Sequence, residues 1–153
     1  MNTKVELAKA LALHYHKDQK YGEHPYSKHL EDVVMNVKLL TEGSDDLVCV
    51  AYLHDILEDT GIDSEVIVEL FGSDVLKAIS SLTKHTEFGE TYDEYIEKVS
   101  SNKIALQVKY CDTLSNLTQS VRDGKKGRID KYTKQLSLLA EYLDKDNEPR
   151  QPS

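Results

Sequence analysis

The sequence predicts an all-α protein, a single bundle of roughly six to eight helices. Apolar residues recur at spacings of three and four along most of the chain, which is the spacing of one helix face. Capping residues and glycines separate these segments, and neither a β-hairpin signal nor an internal repeat is found. We therefore expect one helical domain over residues 1–143 and a polar, disordered tail over residues 144–153.

Two helices are expected at the start of the chain. Thr3 and Glu6 have the spacing of a capping box, so Thr3 is predicted to cap a helix that runs to about residue 19. Residues 21–26 contain glycine and proline and predict a turn. A second amphipathic helix then covers residues 30–40.

Three helices are expected in the middle of the chain. An apolar helix begins near residue 45 and continues to Gly61, which is predicted to stop it. Asp63 caps a short helix over residues 63–70, and a further helix covers residues 75–82. A polar loop over residues 84–89 follows.

The last part of the chain predicts three more helices. Thr91 and Glu94 form a second capping box, and Asn102 starts the next helix. A basic loop with flanking glycines covers residues 123–127, and a final amphipathic helix covers residues 129–143.

Composition narrows the possible functions. The net charge of -8 argues against nucleic-acid binding, although a divalent metal could still reverse the local charge for a small anionic substrate. The two cysteines, Cys49 and Cys111, give no disulfide framework, and no apolar run reaches the roughly 18 residues of a membrane span. We expect a cytoplasmic protein that binds neither nucleic acid nor membrane; its oligomeric state is left open.

A cluster of ionisable residues ends the central helix. On a continuous helix, His54 and Glu58 share one face and Asp55 and Asp59 share another, because residues four apart are neighbours. Two carboxylates at a helix C-terminus are disfavoured by the helix dipole, which suggests that they have a functional role. The alternative is an ordinary helix that ends in solvated acids.

A second candidate site lies in the long helix that follows Asn102. Asp112 interrupts an apolar face, where a carboxylate is costly unless it is paired or binds a metal, and Asn116 lies one turn further on. The alternative is an exposed aspartate beside the apolar stripe.

Basic residues that could bind phosphate are few in this acidic chain. Lys84 is one candidate, and the basic loop offers Lys125 and Lys126, flanked by Arg122 and Arg128. A solvated loop explains the same residues equally well.

The order His29, His54-Asp55, Asp112 resembles the metal-dependent HD-domain phosphohydrolases. Three stretches narrow the resemblance, and they read GEHPYSKH at 22–29, LHDILEDT at 53–60 and KYCDTLSN at 109–116. They are similar to the hydrolase domain of RelA/SpoT-type guanosine polyphosphate enzymes and to the small stand-alone alarmone hydrolases of the stringent response. The words SLTK at 81–84 and YDEYI at 92–96 also resemble a set of short phosphohydrolases in the same group.

The resemblance implies an HD phosphohydrolase domain over residues 1–143 with a divalent metal, usually manganese, held by His29, His54, Asp55 and Asp112. It also implies that Glu58 and Asp59 act beside the metal, and that Asn116 lies near a nucleotide substrate. Because no synthetase or regulatory segment is recognised after residue 143, we expect hydrolysis without synthesis.

Two positions depart from the family pattern. Lys20 stands where the family usually has an arginine that packs on the nucleotide, and Tyr21 stands where a second basic residue is common. Lysine offers a point charge, whereas arginine offers a planar fork that can stack on a base.

Three functions follow as hypotheses. The first is removal of the 3′-pyrophosphate of guanosine tetra- and pentaphosphate, with Glu58 as general acid/base and Asp59 orienting the water or Glu58. The second is hydrolysis of another nucleotide, such as a deoxynucleoside monophosphate or a phosphorylated dinucleotide cofactor. The third is a nucleotide-binding protein without catalytic activity.

Overall fold

The computed structural model describes residues 2–146 and confirms the all-α bundle. Within these residues, eight helices have eight or more residues and one has four. The helices are α1 (Thr3–Tyr15), α2 (Tyr26–Leu40), α3 (Asp45–Leu53), α4 (Ile56–Asp59), α5 (Ser64–Phe71), α6 (Ser73–Ser81), α7 (Tyr92–Ser100), α8 (Lys103–Arg122) and α9 (Lys126–Asp146). A 3₁₀ turn covers Thr86–Phe88.

The start of α1 differs from the prediction. Asn2, and not Thr3, is the N-cap, and its side-chain oxygen accepts a hydrogen bond from the Lys4 backbone N–H at 2.9 Å. Asparagine is among the best N-cap residues, so the apparent capping box was one residue out of place. The helix also ends at Tyr15 and not near residue 19, because the chain turns there into a short hairpin.

This hairpin was not expected. Strands β1 (Lys20–Tyr21) and β2 (His24–Pro25) pair antiparallel, with Tyr21 opposite His24. Gly22 opens the two-residue loop at a φ of +61°, a conformation that glycine adopts without strain. Strands of two residues are too short to show an alternating pattern, which is why the sequence showed only a turn.

The central helix is interrupted where the sequence predicted continuity to Gly61. Helix α3 ends at Leu53, and α4 begins at Ile56. The carbonyl of Ala51 accepts a hydrogen bond from the Nδ1 of His54 at 2.7 Å, although a continuous helix would use that carbonyl for the Asp55 N–H. His54 and Asp55 therefore lie in a turn between two helices.

The other helices lie close to their predicted positions, and the Thr91 capping box is confirmed. Helix α9 is longer than expected at both ends, so the basic loop shortens to residues 123–125. Residues 144–146, expected in the disordered tail, are helical. The rest of that tail, residues 147–153, lies outside the described residues.

Helix α3 is the centre of the bundle. All seven residues from Leu47 to Leu53 are buried, and α3 contacts α1, α2, α6 and α8. A helix that is apolar on every side is expected to lie inside a domain. The end of α3 is therefore held against α2 and α8, which also pack on each other. In residues 2–146, no helix is long and apolar enough to span a membrane.

Candidate metal centre

The four residues predicted as metal ligands come together in the bundle. His29 lies in α2, His54 and Asp55 in the turn after α3, and Asp112 in α8. Asp112 Oδ1 lies 2.8 Å from His29 Nε2 and 3.6 Å from His54 Nε2. Asp55 Oδ2 lies 3.2 Å from the same nitrogen of His54. One possible ligand atom from each of His29, His54 and Asp55 lies within 4.8 Å of the other two.

The tautomer of His54 favours a bound cation. Because Nδ1 donates to the Ala51 carbonyl, Nε2 carries a lone pair and no proton in the neutral ring. Nε2 is buried and has no hydrogen-bond partner in the described part of the chain. Its lone pair faces oxygens of Asp55 and Asp112, and a cation between these three atoms would remove their mutual repulsion.

The carboxylates of the cluster are in different electrostatic environments. Burial and the charge of Asp112 raise the pKa of Asp55 well above its usual range. Burial alone would also raise the pKa of Asp112, but the Lys109 ammonium outweighs it and holds that pKa well below its usual range. Two imidazoles and two carboxylates form a donor set that suits a divalent metal ion.

Lys109 is a charged partner of the cluster that the sequence pattern did not single out. Its ammonium lies 3.2 Å from Asp112 Oδ2, and only 13% of its side chain is exposed. Burial alone would lower the pKa of Lys109, but the Asp112 carboxylate outweighs it and raises the pKa. The sequence could have indicated this pair, because Lys109 and Asp112 are three residues apart and such residues are neighbours on a helix.

Two tyrosines also contact the cluster. The hydroxyl of Tyr26 donates to Asp55 Oδ2. The ring of Tyr21 stacks on His29, with ring centroids 4.5 Å apart and an interplanar angle of 29°. The Tyr21 hydroxyl donates to Asn116 Oδ1 at 2.6 Å, and Asn116 Nδ2 lies 3.5 Å from Asp112 Oδ1. The hairpin thus places Tyr21 at the site, next to the predicted substrate residue Asn116.

Glu58 and Asp59 lie at the surface beside the cluster, and each is held by a hydrogen bond. Glu58 Oε1 accepts from the Lys84 backbone N–H at 2.7 Å. Asp59 Oδ2 accepts from Gln19 Nε2 at 3.0 Å, and Gln19 Oε1 accepts from His16 Nδ1 at 2.7 Å. Because α4 begins after Asp55, the single helix face expected for His54 and Glu58 is not formed.

The basic residues predicted to bind phosphate differ in their burial. Lys84 is half-buried next to Glu58, whereas Lys20, Lys125 and Lys126 are exposed. No hydrogen bond or ion pair within residues 2–146 joins those three lysines to the metal cluster. Burial raises the pKa of Tyr21, and Arg128 of α9, which the sequence grouped with the basic loop, lies near enough to oppose that shift weakly.

Comparisons with known proteins agree with the sequence motifs, although no family model matches the chain. The chain is 32% identical over 132 residues to a guanosine-3′,5′-bis(diphosphate) 3′-pyrophosphohydrolase of Aquifex aeolicus, covering 80% of this chain and 18% of that protein. It is 28% identical over 138 residues to a probable enzyme of the same name from Synechocystis, covering 83% and 18%. The chain therefore spans less than a fifth of the curated relatives that it matches.

A solved structure shows the same fold. It is that of a metazoan ortholog of SpoT that hydrolyses ppGpp, with a TM-score of 0.74 and 24% identity, covering 94% of this chain and 86% of the other. The chain resembles the RelA/SpoT-type HD-domain hydrolases. The resemblance to this group, predicted from the order of its histidines and aspartates, is confirmed.

Loss of Lys109 should destabilise the metal-free protein. In Lys109→Met the Asp112 carboxylate stays buried without its lysine, so we expect the free energy of unfolding to fall by about 3–5 kcal/mol. Urea unfolding in the presence of a chelator measures this. Lys103→Met, at an exposed position of the same helix, is the control and should be nearly neutral. Equal stability of the two variants would contradict the role given to Lys109.

Proposed function

We propose that this protein is a metal-dependent phosphohydrolase that removes the 3′-pyrophosphate from guanosine tetra- and pentaphosphate. The observation that carries the proposal is the meeting of His29, His54, Asp55 and Asp112, with Nε2 of His54 facing the carboxyl groups of Asp55 and Asp112 while Nδ1 is bonded to the Ala51 carbonyl. The names of the two curated relatives support the substrate.

In this proposal the four side chains hold one divalent ion, most simply Mn²⁺. Imidazole nitrogen and carboxylate oxygen together suit such a borderline ion. When bound, the ion lowers the pKa of a water molecule and polarises a phosphate oxygen. Lys109 and Tyr26 orient the two aspartates, because each donates to the ligand carboxylate beside it.

Glu58 is the proposed general acid/base. One of its oxygens is fixed by the Lys84 N–H, which leaves the other oxygen to take a proton from the attacking water or to donate one to the leaving group. Asp59, held by Gln19, is proposed to orient that water or Glu58. Both acids are exposed, so a substrate can reach them without any opening of the bundle.

One observation favours a second candidate, hydrolysis of another nucleotide. Tyr21 occupies the position where the family commonly has a basic residue, and its hydroxyl is already bonded to Asn116. Lys20, the other departure, is exposed. At position 21 the site therefore offers an aromatic ring in place of a basic side chain, which would suit a deoxynucleoside monophosphate or a phosphorylated dinucleotide. The third hypothesis, a binding protein without activity, would leave Glu58 and Asp59 without a role.

The proposed ligand is a small nucleotide, and the proposed location is the cytoplasm. The net charge of -8 gives no support to nucleic-acid binding. Both cysteines, Cys49 and Cys111, are buried free thiols, which fits a reducing compartment.

A substrate panel tests the function. Purified protein with Mn²⁺ is incubated with guanosine tetraphosphate, deoxynucleoside monophosphates and phosphorylated dinucleotides, and the released group is identified. We expect pyrophosphate from guanosine tetraphosphate. Release of inorganic phosphate from another nucleotide would establish the second candidate, and nucleotide binding without turnover would establish the third.

Removal of one proposed ligand should remove the metal. In Asp112→Asn the side chain keeps its size but loses its charge, so we expect at least a tenfold loss of Mn²⁺ affinity together with loss of turnover. Isothermal titration calorimetry measures the affinity. Asp130→Asn, an exposed position in α9, should bind Mn²⁺ like the unmodified protein. Unchanged Mn²⁺ affinity in Asp112→Asn would refute the ligand set.

Glu58→Gln should abolish turnover without unfolding the protein. The amide oxygen of glutamine can still accept from the Lys84 N–H, so we expect Tm to be nearly unchanged, while kcat falls by about 10²–10⁴-fold. Glu69→Gln, at an exposed position of α5, is the matched control. A Glu58→Gln enzyme of normal kcat would exclude Glu58 as the acid/base.

A further inference from the structure

Three lysines surround the ring of Tyr95, and one of them has no carboxylate partner among the residues that the structure describes. The ammonium groups of Lys84, Lys98 and Lys109 lie 5.1, 5.7 and 5.5 Å from the Tyr95 ring centroid. Lys98 is paired with Glu90 at 2.9 Å, and Lys109 is paired with Asp112 at 3.2 Å.

For Lys84, no carboxylate in residues 2–146 lies within 4.0 Å of Nζ. We propose that Lys84 binds a phosphate group of the substrate, in a subsite that it forms with Tyr92 and Tyr95 on the Glu58 side of the metal centre. This proposal rests on the proposed function and assigns the residue that recognises the phosphate.

The surroundings of Lys84 favour an anionic ligand. Its side chain is half-buried, and Nζ lies 5.6 Å from the Tyr92 ring and 5.1 Å from the Tyr95 ring. The faces of two aromatic rings stabilise an ammonium group only in part, and a half-buried charge gains more from a paired charge of opposite sign. Burial and the charge of Lys109 lower the pKa of Lys84, and a bound anion would counteract both effects.

The position of Lys84 links it to the proposed chemistry. Its backbone N–H holds Glu58, and its side chain shares the Tyr95 ring with Lys109, the partner of Asp112. A cavity of about 490 Å³ lies beside it, lined by Leu57, Glu58, Thr83, Lys84, His85, Thr86 and Glu87. This cavity has room for a phosphate group next to both Glu58 and Lys84.

Charges of both signs lie around Lys84. Besides burial, Lys109 and Lys131 act to lower its pKa, whereas Glu58 and Asp112 act to raise it, so the attraction for an anion here comes from the Lys84 ammonium itself. A lysine ammonium binds phosphate as a point charge and does not require a fixed planar geometry. A terminal phosphate or pyrophosphate group is therefore the ligand class that matches this subsite.

Pyrophosphate binding by the full chain tests the proposal. The protein, loaded with Mn²⁺, is titrated with inorganic pyrophosphate by isothermal titration calorimetry. We expect Lys84→Met to weaken binding about tenfold or more, because it removes a charge-assisted hydrogen bond. Its backbone N–H still reaches Glu58, so a normal Tm and normal Mn²⁺ affinity are expected. Lys84→Arg should recover most of the affinity, and Lys77→Met, an exposed position in α6, should have no effect.

The kinetics of any nucleotide that is turned over give a second readout. We expect Lys84→Met to raise KM by a similar factor and to change kcat less. Equal pyrophosphate affinity in the unmodified protein and Lys84→Met would overturn the subsite, as would an unmodified protein that binds no pyrophosphate at millimolar concentration. If no nucleotide is hydrolysed but Lys84→Met still weakens pyrophosphate binding, the proposed function fails and the subsite stands.

Discussion

The fold depends on a negative charge that α8 carries into the interior of the bundle. Asp112 is 5% exposed, and its two oxygens face Lys109 and two histidines. A buried carboxylate is tolerated only when it is surrounded by compensating groups, and these groups come from α2, the end of α3 and α8 itself. Helix α7 contributes as well, because the Tyr95 ring packs against the Lys109 ammonium. Groups from α2, the end of α3, α7 and α8 therefore meet around one buried charge.

The interruption of the central helix separates two kinds of acidic residue. After α3, the His54 ring faces both Asp55 and the buried Asp112, while a quarter of the Asp55 side chain is exposed. Helix α4 begins at Ile56, after the turn at His54 and Asp55, and its Glu58 and Asp59 lie at the surface. Buried carboxylates suit a metal ion, whereas exposed carboxylates can exchange protons with water and substrate. One short sequence provides both because the helix breaks between them.

Helical periodicity predicted the fold class, and the resemblance to the HD-domain phosphohydrolases indicated the four residues that cluster. The sequence did not predict the break after Leu53, since this break is associated with the His54 ring bonding to the carbonyl of Ala51, and no helical pattern signals that hydrogen bond. The hairpin at Tyr21 was missed for a different reason, because its strands are too short to produce a pattern. Lys109 could have been found from its spacing to Asp112, but the depth of its burial is a property of the packed bundle.

The placement of positive charge around the site indicates how a nucleotide would lie. On the hairpin side, Tyr21 stacks on His29 and bonds to Asn116, so that side presents an aromatic and amide surface without a cation in contact with the cluster within the described residues. Next to Glu58, Lys84 is half-buried, and Lys109, Lys131, Glu58 and Asp112 all lie near enough to act on its pKa. Phosphate groups are attracted to regions of positive electrostatic potential, whereas a sugar or base can pack on a tyrosine ring. A nucleotide bound in this orientation would place its scissile phosphate between the buried ligands and Glu58, and the proposed chemistry requires that position.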